Sequence, residues 1–279
     1  MQQLNPGDYS SKREGFISVD GGKIYYEVKG TGPSLVLIHS AISDSRLWDQ
    51  EFEFLSRNFT TIRYDVRGLG RSAPAVEEYS DSSDLKILLA SLGVAKASII
   101  ACSNSGRIAM DFALMFPERV ENMILVGSGL GLFEPEEADG LAQAVSNLEG
   151  VFSRLSENYR NDEKDKSVEE LMNLLGSGLR GEARDSAWNM VKENLEEIVT
   201  DKSASHAHFM VNKGNLKDIT SRVLVLVGEM DNPMIIWSSR RLAEGIPGAD
   251  FAILPKGDHF LNLSAGDEFI KAVGKLLGF

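Results

Sequence analysis

The sequence has little sulfur chemistry to offer. Of 279 residues only Cys102 carries a thiol, so no internal disulfide can form. One cysteine and four scattered histidines give no cysteine-based zinc site. Positive charge is in deficit: 29 Lys and Arg face 41 Asp and Glu, for a formal net charge of -12. That balance repels a polyanion, no basic patch offsets it, and a nucleic-acid role is disfavoured on that ground. Long apolar runs are missing too, with nothing near the roughly 18 uninterrupted apolar residues of a membrane span. Residues 1–7 are polar and hold no hydrophobic signal core. The nucleotide-cradling loops Gly-x-x-x-x-Gly-Lys and an early Gly-x-Gly-x-x-Gly after a strand are also absent. These absences predict a cytoplasmic protein, monomer or homodimer, acting on a small molecule without metal or other cofactor.

Apolar material is plentiful by contrast: 43% of the residues are hydrophobic, enough for a sizeable core. Segments 15–19 and 23–28 flank Asp20-Gly21-Gly22 and read as an antiparallel hairpin, because glycine supplies the positive φ of a tight turn. Short apolar runs without strict alternation follow at 34–38, 60–65, 97–101, 122–126, 223–227 and 251–254. Such runs mark strands buried on both faces. With helical stretches between most of them, they predict an α/β class of fold, a mostly parallel eight-stranded twisted sheet flanked by helices.

Residues 133–218 break the pattern. They hold no convincing strand but three amphipathic stretches, 140–158, 167–175 and 183–199, with a glycine-rich break at 176–181. The expected organisation is a core domain of residues 1–132 and 219–279 with a helical lid, 133–218, over the carboxyl ends of the strands, where open α/β sheets bind ligands. Phe152, Trp188, Phe209 and Met210 are the large apolar residues that such a lid offers as pocket walls or as packing.

The chemistry is signalled at Cys102-Ser103-Asn104, a very tight turn between the strand at 97–101 and a helix expected over 104–116. In a nucleophile elbow the middle side chain is forced out of the turn, and the residues two before and two after it must be small. Centring on Ser103 puts Ala101 and Ser105 at those places, whereas centring on Cys102 puts Ile100 and Asn104 there and centring on Ser105 puts Arg107 there. Ser103 alone meets the steric rule, with Cys102 the rival nucleophile. A serine needs a base, and the base needs a third group to fix its tautomer. Of the histidines, His39 follows an early strand, His206 and His208 lie in the insertion, and His259 follows the last strand, the best position. For the acid, the turn after 223–227 offers Asp231, with Glu229 in reserve. The order Ser, Asp, His is not that of chymotrypsin-type or subtilisin-type proteases.

Longer motifs carry a family resemblance. Leu35-Val36-Leu37-Ile38-His39-Ser40 resembles the strand and His-Gly loop of α/β-hydrolases, and Asp65-Val66-Arg67-Gly68-Leu69-Gly70-Arg71-Ser72 matches their Asp-x-Arg-Gly-x-Gly-x-Ser turn. Phe116-Pro117-Glu118-Arg119-Val120, Gly228-Glu229-x-Asp231 and Gly257-x-His259-Phe260 are similar at the expected places. The resemblance implies the α/β-hydrolase fold, and an oxyanion hole made by the backbone N–H groups of Ala41 and Asn104. Ser40 stands where glycine is usual, and Ala101 and Ser105 replace both elbow glycines. His39-Ser40-Ala41, Trp48-Asp49-Gln50 and Ile62-Arg63-Tyr64-Asp65 resemble the 3-oxoadipate enol-lactonase branch.

The expected activity is hydrolysis of a small carboxylic ester or lactone through an acyl-enzyme on Ser103, with His259 as general base and Asp231 orienting it. A serine at the elbow argues against the haloalkane dehalogenases and epoxide hydrolases of this fold, which use aspartate there. Carbon-carbon bond hydrolases and perhydrolases use the same triad and stay open, as does a ligand receptor that kept the fold.

Overall fold

Strands with no polar face have to be covered on both sides, and the architecture follows from that requirement. The structure, a computed structural model, describes residues 9–74, 78–199 and 210–279. Its strands are β1 (Tyr9–Val19), β2 (Gly22–Gly30), β3 (Ser34–Ile38), β4 (Thr60–Tyr64), β5 (Ala97–Cys102), β6 (Val120–Val126), β7 (Arg222–Gly228) and β8 (Asp250–Leu254). They form one eight-stranded sheet in the order β1-β2-β4-β3-β5-β6-β7-β8. The β1–β2 and β2–β4 pairs are antiparallel and all other pairs are parallel. Gly21 turns the first hairpin with a φ of 69°. β1 starts six residues before the apolar segment at 15–19 because its polar first half pairs at the sheet edge and carries no hydrophobic signal.

Successive side chains of a strand point to opposite faces. On β5, Ile99 and Ala101 join a core with α2 (Asp81–Ser91), α3 (Ser105–Met115) and the carboxyl-terminal half of α8 (Pro233–Gly245). Ile100 and Cys102 face the other way, into a core with α1 (Asp49–Leu55) and α10 (Gly266–Leu277). A four-residue helix, α9 (Leu261–Ser264), connects the end of the sheet to α10.

Between β6 and β7 lie α4 (Ala142–Arg160), α5 (Lys164–Leu175), α6 (Gly181–Glu193) and α7 (Leu195–Val199). Leu148, Leu155, Leu171 and Met190 of these helices share one apolar cluster with the sheet residues Ile100, Ile124 and Leu226, so the insertion extends the core. The single helix expected over 183–199 is in fact two. Asn194 interrupts it: its amide oxygen accepts from the Gly70 N–H at 2.8 Å, and its Nδ2 donates to the Asp44 carboxylate and the Met190 carbonyl, both at 2.8 Å. Hydrophobic periodicity runs straight through that position, so only the tertiary contact reveals the break. Among the described residues no helix is long and apolar enough to cross a membrane.

Candidate active site

β5 ends in the elbow. Ser103 has a φ of 57°, one of three positive values among described non-glycine residues, the others being Asp162 and Lys256. Such strain persists only where the surroundings hold it. Here the Ser103 N–H donates to the Val126 carbonyl at 2.6 Å, and the Ser103 carbonyl accepts from Gly106 N–H at 3.0 Å and the Ser128 hydroxyl at 2.9 Å. The small neighbours are required: Ala101 is fully buried, and a Cβ on Gly106 would lie 2.4 Å from Ser128 Oγ. Ser105 does what a glycine there could not, since its hydroxyl donates to the His39 carbonyl at 2.5 Å and ties the elbow to the loop carrying Ala41. Ser40 needs no positive φ, so serine is accommodated where glycine is usual.

His259 and Asp231 converge on Ser103 from turns after β8 and β7. His259 Nε2 lies 2.9 Å from Ser103 Oγ, and His259 Nδ1 lies 2.8 Å from Asp231 Oδ2. Both are buried. The other carboxylate oxygen of Asp231 accepts from the Asn232 N–H at 2.8 Å. Asn232 supplies the cap of α8, accepting from Met234 N–H at 2.8 Å, which leaves Asp231 for the imidazole. Burial acts to lower the His259 pKa, but the charge and hydrogen bond of Asp231, with the nearby Asp258 charge, outweigh it and hold it above its ordinary value.

The alternative residues sit elsewhere. The exposed Glu229 accepts from the Lys256 N–H at 3.2 Å. Cys102 is buried on the α1–α10 face, and burial raises its thiol well above the ordinary range, with the Asp231 charge adding to it. His39 is fully buried and structural. Its Nε2 accepts from the Val66 N–H at 2.9 Å, which leaves the proton on Nδ1, 2.8 Å from the Ser40 carbonyl. His206, His208 and Phe209 lie outside the described residues. Met210 is exposed and Trp188 packs against the core, whereas Phe152 reaches the site.

A cavity of about 210 Å³ opens on this group, lined by Ser103, His259, Ala41 and Asn104 among others. Among the described hydrogen bonds none uses the backbone N–H of Ala41 or Asn104, so both donors stand unpaired beside Ser103. Asn104 precedes α3, whose N-terminal dipole adds positive potential there. Among the described residues no cluster of His, Cys, Asp and Glu is arranged to hold a metal ion.

Two contributors escape a reading of the sequence. Gly127, with a φ of 57°, forms the floor under the imidazole: a Cβ there would lie 3.1 Å from His259 Cε1 and Nδ1 and 3.4 Å from Asp231 Oδ2. A glycine directly after an apolar strand is its only sequence trace. Asp258 is buried and joins the insertion to the histidine turn, its carboxylate accepting from Gly178 N–H at 2.8 Å and Phe260 N–H at 3.0 Å. The His259 N–H donates to the Leu175 carbonyl at 3.0 Å, a second tie between the two.

Known proteins resemble the chain over most of its length. A family model described as alpha/beta hydrolase fold matches residues 33–265. A 2-hydroxy-6-oxononadienedioate/2-hydroxy-6-oxononatrienedioate hydrolase of Paraburkholderia phymatum is 26% identical over 284 residues, covering 93% of each chain. Among solved structures, a thermophilic esterase from Thermogutta terrifontis superposes with a TM-score of 0.78 at 23% identity, over 95% of this chain and 98% of that one. The enol-lactonase from Burkholderia xenovorans does so with a TM-score of 0.67 at 23% identity, over 95% of this chain and 100% of that one.

Proposed function

The chain belongs to the α/β hydrolase fold family, and from that membership we propose that it is a serine hydrolase cleaving a small carboxylic ester or lactone through an acyl-enzyme on Ser103. The observation that carries this reading is the unbroken relay from Asp231 through His259 to Ser103, at 2.8 and 2.9 Å, ending at a cavity with two unpaired backbone donors.

In this mechanism His259 Nε2 removes the Ser103 proton as Oγ attacks the carbonyl carbon, and Asp231 keeps the other imidazole proton on Nδ1. The N–H groups of Ala41 and Asn104 stabilise the oxyanion, each by a factor on the order of 10²–10³. His259 then protonates the leaving alkoxide. Water, deprotonated by the same nitrogen, opens the acyl-enzyme, and Ser103 recovers its proton. The insertion, α4 to α7, acts as the lid over this chemistry.

A second reading follows from the Paraburkholderia relative, whose name specifies a dioate: the same triad would cleave a doubly carboxylated substrate. No Lys or Arg lines the cavity at Ser103. Arg67, in the cleft beyond Ala41, gives Nε and Nη2 to the two Asp84 oxygens at 2.9 and 2.8 Å, while its buried Nη1 has no hydrogen-bond partner among the described residues. In the cavity at Ser103 itself a second carboxylate would be buried without a cation at high cost, which favours the ester or lactone.

Purified protein is expected to hydrolyse p-nitrophenyl butyrate. Ser103→Ala should remove at least about 10³-fold of that turnover while leaving the thermal midpoint nearly unchanged. Undiminished turnover in the variant would sink the assignment.

A further inference from the structure

We infer that the acyl side of the site is a two-chambered apolar channel built for an aliphatic acyl chain whose far end carries no negative charge, with Leu130, Leu148 and Phe152 setting the usable length. The inference rests on Ser103 as the nucleophile and deepens that reading to a substrate class.

The first chamber is the cavity of about 210 Å³ at Ser103. Apart from the triad histidine its lining has no ionisable side chain, and Ile42, Leu148, Leu175 and Ile235 form most of its apolar wall. The second chamber, about 330 Å³, lies beyond and shares Leu130, Leu148 and Phe152 with the first. The first alone falls below the roughly 300–1,000 Å³ of sites that bury a drug-sized ligand, and the two together fall within that range. A short acyl group therefore fills the first chamber, and a longer one has to pass the shared wall.

Of the eight large apolar side chains exposed by more than a third among the described residues, Leu130 at 39% and Phe152 at 41% are the two that line the chambers. An aliphatic chain would cover both. The outer chamber is rimmed by the exposed acids Glu134 and Glu149. Arg107, whose guanidinium donates to the Gly131 carbonyl, lines neither chamber. A terminal carboxylate would leave water, meet two like charges and find no cation, whereas a methyl or hydroxyl end meets none of these penalties.

The experiment compares kcat/KM for p-nitrophenyl acetate, butyrate, hexanoate and octanoate, and for the p-nitrophenyl monoester of hexanedioate, with Ser103→Ala as control. The expected profile rises through hexanoate by about two- to fourfold per methylene. The hexanedioate monoester should lie at least about tenfold below hexanoate. Leu148→Phe, which fills the shared wall, should move the optimum toward acetate. Leu130→Arg alters a position that is 39% exposed, and should shrink the hexanoate-to-hexanedioate ratio about tenfold by supplying the missing cation. A flat profile, or equal turnover of the hexanedioate ester, overturns the channel while Ser103-dependent acetate turnover leaves the hydrolase reading intact. Acetate turnover that survives Ser103→Ala removes the reading and the channel together.

Discussion

Ser103 is held at a φ of 57° between Ala101 and Ser105, and the base proposed for it is a histidine whose proton affinity is raised by two carboxylates. Burial opposes charge on His259, and Asp231 and Asp258 together override it. Only neutral Nε2 can accept the serine proton, so kcat/KM should fall as pH drops through that raised value. Asp231→Asn removes the largest support for the imidazolium. It should displace the acid limb to lower pH and cut kcat about 10⁴-fold, as mispositioning of the base does elsewhere; a pH–rate profile of both proteins checks this. Ser103 was legible because steric exclusion is local: Ile100 and Arg107 cannot occupy the crowded places that the rival centres demand. Asp231 was harder, since an acid before Asn-Pro is also a natural helix cap, and only the structure shows Asn232 taking that task. The part played by Gly127 was not legible beyond a glycine following an apolar strand, because the imidazole it admits comes from a turn more than a hundred residues away.

At the scale of elements, the insertion is coupled to the histidine turn by polar contacts. The end of α5 meets that turn through the Leu175 carbonyl and the Gly178 N–H, and Asp258 is the side chain that joins them. Asp258→Asn keeps the shape but gives up the charge and one of two accepted bonds. The expected outcome is an acid limb moved to lower pH together with a loss of about 1 kcal/mol in urea unfolding, whereas a purely structural part would lower stability and leave the limb in place. Asn194→Ala should cost about 1–3 kcal/mol, because it leaves the Gly70 N–H without a partner and takes one bond from the buried Asp44 carboxylate, which keeps its pair with Arg46. α9 is tied to α1 by Asn262 Nδ2, which donates to Glu51 Oε2 at 2.9 Å and the Leu47 carbonyl at 2.8 Å. Burial pushes the Glu51 carboxyl up to about 7 from an ordinary 4.5, with the Asn262 bond opposing it. A folded-state value above the unfolded one means that the fold binds the extra proton, so stability from this group is greatest in acid and declines between those two pH values. Glu51→Gln should abolish that decline and leave the protein on the order of 1–3 kcal/mol more stable than wild type at pH 8, measured by urea unfolding at pH 5 and pH 8.

For the whole molecule, the sheet was legible because strands covered on both faces read as unbroken apolar runs. All six runs and both hairpin segments are strands, and their order places the Ser103, Asp231 and His259 turns after β5, β7 and β8 on the same side of one sheet. The parts that stayed hidden are those set by contacts between distant segments: the polar first half of β1, the helix break at Asn194, and the ties between the insertion and the histidine turn. Hydrophobic period reports which face of an element is buried and is silent about its partner. The central claim is that this assembly makes one serine, and no other side chain, the nucleophile. Its most direct test is to treat the native protein with a fluorophosphonate probe and map the adduct by peptide mass spectrometry, with Ser103→Ala and His259→Ala alongside. A single adduct on Ser103, absent from the first variant and strongly slowed in the second, is the expected result. An adduct on Cys102, or labelling that persists in Ser103→Ala, would contradict it.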